Sequence, residues 1–251
     1  MTGNRLGMIW GLVAEQAAVH GSGMSADDAC TAAVTGVQVT GAWLSAGSTG
    51  DGGHLMRATD GVSQRLAELQ LTLGEGPSLD AFASGGPALA SDLADGESRL
   101  RWPAFAPAAC QAGAAAVFAF PLAVGVIRAG TLGLYRDRPG PLAGRQLGDA
   151  LLFADTATLL LLNAQANGSS VADSDRQPAD FPGHRAEIDQ ATGMLTEQLG
   201  VSITDAFARL RAYAYANDLR LTDVAGDIVA RRLRLNPGPG PSPDSTRELR
   251  G

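Results

Sequence analysis

Three histidines (His20, His54, His184) and two cysteines (Cys30, Cys110) are the whole stock of imidazole and thiol in the chain. No histidine stands at metal-ligand spacing from another or from a cysteine, so the sequence offers no zinc-type site. It holds no G-x-S-x-G elbow, Walker loop or Rossmann glycine pattern. It therefore predicts no catalytic residue, no metal, no cofactor and a protein that is not an enzyme. One string, Gly74-Glu75-Gly76-Pro77-Ser78-Leu79-Asp80, is glycine-rich but lacks the Lys and Ser or Thr of a phosphate loop. It reads either as a tight turn feeding a helix or as a loop lining a ligand pocket, its backbone N–H groups offered to an anion.

The elements around that string alternate. Helical spacing covers 27–35, 62–71, 79–83, 102–111 and 146–165. Strand signals cover 37–44, 54–59, 87–92, 115–124 and 127–135. Gly50–Gly53 reads as one hairpin turn, and Gly125 as the centre of another. The order implies one antiparallel sheet flanked by helices, an α+β domain. Gly, Ser, Asp and Pro crowd 166–183, the signature of a linker. Three amphipathic stripes follow within 184–235. Gly200 closes the first, Ser202 with Asp205 forms a capping box before the second, and Thr222 is the expected N-cap of the third. Residues 236–251, rich in Pro and Gly, read as a disordered tail.

Charge divides the chain at the same place. All 19 basic residues are arginine, and the net charge is −7. Residues 1–183 hold 10 Arg against 17 acidic side chains, whereas 184–235 hold 7 of each. Within 207–235 six Arg face three Asp. The acidity disfavours nonspecific nucleic-acid binding by the first part only. No run of 18 apolar residues is present, and the N-terminus is a poor signal peptide. The expectation is a cytoplasmic protein with no membrane partner.

The strings LGEGPSLDAFASGGPALASDL, RWPAFAPAA and VFAFPLAVG with GTLGLYRDRPGPL resemble the GAF domain of actinobacterial regulators, over most of 1–165. The resemblance implies an α+β sensor of small molecules. Many relatives carry Cys after the GEGP string, where this chain has Ser78, and neither cysteine lies in a bilin-attachment motif.

Residues 184–235 resemble the ANTAR domain, a three-helix RNA-binding module. Ala191 and Gly193 match its first helix. Ala206, Phe207, Leu210 and Arg211 match its second, and Leu221, Val224 and Ala225 its third. Thr192 stands where relatives commonly carry a basic residue. The resemblance implies binding to paired RNA hairpins in nascent leaders and prevention of transcription termination. We therefore expect RNA contacts from Gln190, Ala191, Gly193, Arg209, Arg211, Tyr215, Asn217 and Arg220. Arg209 with Tyr213, and Arg211 with Tyr215, are i,i+4 neighbours, and guanidinium planes and phenol rings suit unstacked bases. The same spacing also fits a solvated helix face with tyrosine bodies in the core. Arg231, Arg232 and Arg234 sit near a helix C-terminus, where the macrodipole favours cations with or without RNA.

Leu147, Leu151, Ala154, Thr158 and Leu161 approximate a heptad. It either packs on its own sheet or forms a homodimer interface that presents two RNA-binding modules to two hairpins. The expected function is a transcription antitermination regulator, with a GAF domain that senses a signal such as a small-molecule ligand, and an ANTAR output. The alternative is a GAF-based dimeric signalling adaptor whose helical domain docks a protein partner.

Overall fold

The computed structural model describes residues 2–21, 23–47, 54–166, 181–217 and 219–235. The chain forms two compact units, 1–183 and 184–251. The first contains α1 (Thr2–His20), α2 (Ala26–Val37), β1 (Gly41–Ala46), β2 (His54–Ala58), α3 (Gly61–Leu73), α4 (Pro77–Ser84), β3 (Ala88–Ala90), α5 (Gly96–Arg101), α6 (Phe105–Gln111), β4 (Ala116–Val124), β5 (Ile127–Arg136) and α7 (Gly144–Ala166). The second contains α8 (Phe181–Leu199), α9 (Ile203–Ala216) and α10 (Leu221–Val229).

The first unit is α+β, as expected. Its five strands are ordered β2-β1-β5-β4-β3, with every neighbouring pair antiparallel. β4 and β5 join at Gly125 and Val126, with Val124 opposite Ile127, so the hairpin falls where the glycine placed it. Alternation along the strands sends side chains to two faces. Leu44, Phe118, Phe120, Leu132 and Leu134 pack under α1, α2 and α7. Trp43, Val117 and Tyr135 pack under α3, α6 and the segment carrying Leu93 and Trp102. Trp43 lies directly over Gly133, where any Cβ would strike its ring.

Two expectations are corrected, and two helices not expected from the sequence are added. Val37 and Val39 do not belong to a strand. Ala26, Ala29, Cys30, Ala33 and Val37 form the buried stripe of α2, and Gln38 stops the helix in the left-handed region at φ 61°. Residues 2–20 are a helix, α1, whose Ile9, Val13 and Ala17 are buried. Asp149 on α7 accepts a bond from Arg5 Nε at 3.0 Å and so ties the two helices together. Residues 96–101 are a short helix opened by Asp95, which accepts from Ser98 N at 2.6 Å. Thr222 is not the N-cap of α10. Arg220 holds that position, and its carbonyl accepts the first helical bond from Val224 N at 3.1 Å.

The Gly50–Gly53 turn, the linker beyond Ala166 up to α8, and the 236–251 tail lie outside the described residues. Helix α7 has the length and mean hydropathy of a membrane span. Its Ala150, Phe153, Ala154, Ala157 and Leu161 are buried in the core of its own unit, as in the core helix of a folded domain. Of the heptad positions, Ala154, Thr158 and Leu161 are buried and Leu147 is partly buried. Leu151 and Leu159 are 40% and 55% exposed.

Candidate nucleic-acid interface

The second unit is built on a small apolar centre. Ala191 and Leu195 of α8, Ala206, Phe207, Leu210 and Ala214 of α9, and Leu221, Val224, Ala225 and Ile228 of α10 are all buried. These are the positions of the three sequence stripes. Gly200 ends α8 at φ 63°, and Ser202 caps α9 by accepting from Asp205 N at 3.1 Å. The Ser202 hydroxyl in turn donates to Asp205 Oδ2 at 2.7 Å.

That centre sorts the eight expected contact residues. Ala191 is wholly buried, so it packs α8 and offers no surface to a ligand. Gln190 and Gly193, one helical turn apart on α8, are exposed. Arg209 and Tyr215 on α9 are exposed, Tyr215 by 61%. Asn217 is exposed but ends α9, with its Nδ2 donating to Tyr213 O at 2.8 Å. Arg220 is exposed at the start of α10.

Arg211 differs from its neighbours. It is half-buried, and its guanidinium lies 5.6 Å from the centre of the Phe207 ring. Its Nε is buried with no hydrogen-bond partner among the described residues, and burial pulls its pKa below the ordinary guanidinium value. A cation held this way braces the helix face beside it. Thr192, in the position where relatives carry a basic residue, is buried, and its hydroxyl donates to Ile188 O at 2.7 Å. It contributes nothing to a phosphate-binding surface.

The glycine-rich string of the first unit has a structural explanation that its sequence hides. Gly74 stops α3 at φ 71°. Glu75 Oε1 accepts the backbone N–H groups of Ala104 and Phe105, both at 2.7 Å, and so caps α6, whose own N-cap residue is alanine. Gly76, at φ 134°, leaves no room for a Cβ, which would lie 2.5 Å from Gln70 Cγ. Pro77 opens α4, and Gln70 Oε1 takes the Ser78 N–H at 2.6 Å. Asp80 Oδ2 accepts from Arg101 Nε at 2.7 Å and Trp102 Nε1 at 3.2 Å. The backbone N–H of Ser78 is thus already used inside the protein, and the string clamps α4, α5 and α6 together. Ser78 Oγ is buried with no partner among the described residues. Among the described residues no group of three His, Cys, Asp or Glu side chains could hold a metal ion.

Residues 183–229 match the family model of the ANTAR domain. This span coincides with α8 to α10, so the second unit carries a three-helix ANTAR domain, a regulatory family whose members in general bind RNA. Solved structures resemble the chain more distantly. The GAF domain of an Acinetobacter phosphoenolpyruvate-protein phosphotransferase is 12% identical, with a TM-score of 0.49, over 66% of this chain and 96% of that one. The GAF domain of the corresponding Coxiella burnetii protein is 14% identical, with a TM-score of 0.48, over 64% of this chain and 97% of that one. Among curated proteins, none matches the chain.

Proposed function

We propose that this protein is a cytoplasmic transcription antitermination regulator. Its ANTAR unit binds paired stem–loops in nascent RNA, and its first unit, built like a GAF domain, senses the signal that governs binding. The observation that carries the reading is the match of 183–229 to the ANTAR model on a unit whose outer face holds Arg209, Tyr215 and Arg220. The planar cations and the phenol ring suit unstacked loop bases, and arginine suits phosphates. Gln190, Gly193 and Asn217 belong to the same proposed surface, Arg211 supports it from behind, and Ala191 packs beneath it. A homodimer would supply two such surfaces to two hairpins. The exposed Leu151 and Leu159 of α7, with Leu6 and Met8 of α1, are among the exposed apolar side chains that could form it.

Titration of the full chain with RNA carrying two tandem stem–loops tests the reading. Binding that weakens when Arg209 or Tyr215 is changed to Ala, with the fold intact, supports it. No binding even at low salt overturns it.

A further inference from the structure

Beyond residue 229, where the ANTAR match ends, the chain makes one more ordered turn. Arg231 sits there at φ 59°, one of only two non-glycine residues in the left-handed region among those described. Helices α3, α4 and α8 each end on a glycine in that conformation: Gly74, Gly85 and Gly200. The chain has 32 glycines, yet it places an arginine here, where any Cβ is disfavoured. Backbone held in a disfavoured region points toward a side chain that is needed.

The turn is pinned on both sides. Arg231 N bonds to Ile228 O at 2.9 Å, and Arg232 N and Leu233 N both bond to Asp227 O, at 2.8 and 3.1 Å. Leu235 is buried, and its carbonyl accepts from Gln198 Nε2 near the end of α8. The three arginines are not equivalent. Arg232 is spent on Asp227, its Nε lying 2.8 Å from Oδ1. Arg231 and Arg234 are exposed, and among the described residues neither side chain has a hydrogen-bond or ion-pair partner.

Resting on the RNA-binding reading, we propose that the 230–235 turn is a second RNA contact, in which Arg231 and Arg234 hold backbone phosphates of the hairpin stem and Arg232 holds only the turn. Gln198 places the turn at the end of the bundle where α8 finishes and α9 begins. Tyr215, Asn217 and Arg220 lie where α9 finishes and α10 starts, separated from the turn by the nine residues of α10, about 14 Å of helix. One end presents an aromatic ring and a planar cation suited to loop bases. The other presents two unpaired cations with no exposed ring, a combination that grips phosphate without reading sequence.

The test uses the full chain and a pool of RNAs, each with two tandem stem–loops and randomised loops. Arg231→Gly is the decisive variant, because glycine prefers the observed φ and keeps the turn. It should raise or preserve the melting temperature while lowering RNA affinity several-fold across the whole pool. Arg231→Gln with Arg234→Gln should weaken binding about tenfold or more and flatten the log–log salt dependence by about 1 to 2, whereas Arg232→Gln should leave the salt slope unchanged. Wild-type binding with undiminished affinity in Arg231→Gly and in the double variant overturns this contact while leaving the ANTAR reading standing. Failure of the wild type to bind any member of the pool removes both.

Discussion

Glu75 shows how one carboxylate can fix the shape of a loop through two long-range hydrogen bonds. Its Oε1 takes two N–H groups at the start of α6, from residues about thirty positions further along the chain. Glu75→Ala leaves both donors without that acceptor, and we expect a loss of about 1–3 kcal/mol in the urea unfolding of the full chain. Glu75→Gln keeps an acceptor oxygen and should lose less. The two thiols make a second prediction. Burial pushes Cys30 far up the pKa scale, and Cys110, partly exposed, is raised by burial to a lesser degree. A raised pKa lowers the thiolate fraction at neutral pH, so a maleimide should modify Cys110 slowly and Cys30 only on unfolding. Mass mapping of the modified native chain checks the order. At this scale the sequence is only partly legible. Gly74 and Gly76 show as turn residues because their backbone conformation is local, whereas the partners of Glu75, Asp80 and Gln70 depend on tertiary contacts.

Elements read well where a stripe is long and apolar. The stripes of α8, α9 and α10 and the β4–β5 hairpin follow from spacing and turn residues alone. The start of α10 is misplaced by two positions, since a threonine resembles a cap even when the preceding arginine carbonyl starts the ladder. Helix α1 is hidden because Gly7 and Gly11 interrupt its pattern and only Ile9, Val13 and Ala17 are fully buried among its described side chains. Helix α5, six residues long, is too short to show a period. Helix α7 shows the opposite difficulty: its apolar character is plain, but spacing cannot tell the inward side from the outward. The heptad stripe mixes buried Ala154 and Leu161 with exposed Leu151, and Leu159, on the outer side, lies outside it. If that outer side forms the dimer, Leu151→Glu with Leu159→Glu should convert the chain to a monomer in sedimentation equilibrium while far-ultraviolet circular dichroism stays constant. A wild-type monomer, or a variant that remains dimeric, would remove α7 from the interface.

At the scale of the whole molecule, charge connects the two units. The net −7 falls on the first unit, while the stretch from 207 to 235 carries six arginines against three aspartates. Two of those arginines are already committed, Arg211 against Phe207 and Arg232 to Asp227. Arg209, Arg220, Arg231 and Arg234 are four further exposed arginines of the second unit, Arg220 with an interaction of its own. Each phosphate neutralised releases condensed counterions, so the slope of log affinity against log salt counts the contacts, at about −0.7 to −0.9 apiece. Four such arginines limit one copy to a slope of about −3 to −4, and a dimer engaging two hairpins to about −6 to −7, on the same counterion arithmetic. Measured with single and tandem stem–loops, the slope should therefore nearly double on going from one hairpin to two. A slope that stays the same for both RNAs would mean that one copy does all the binding and would remove the need for a dimer. A slope steeper than about −8 would require cations beyond these four. The acidic first unit adds a condition of its own: near physiological salt, unstructured RNA should not be retained, because the net charge of −7 on residues 1–183 repels phosphate.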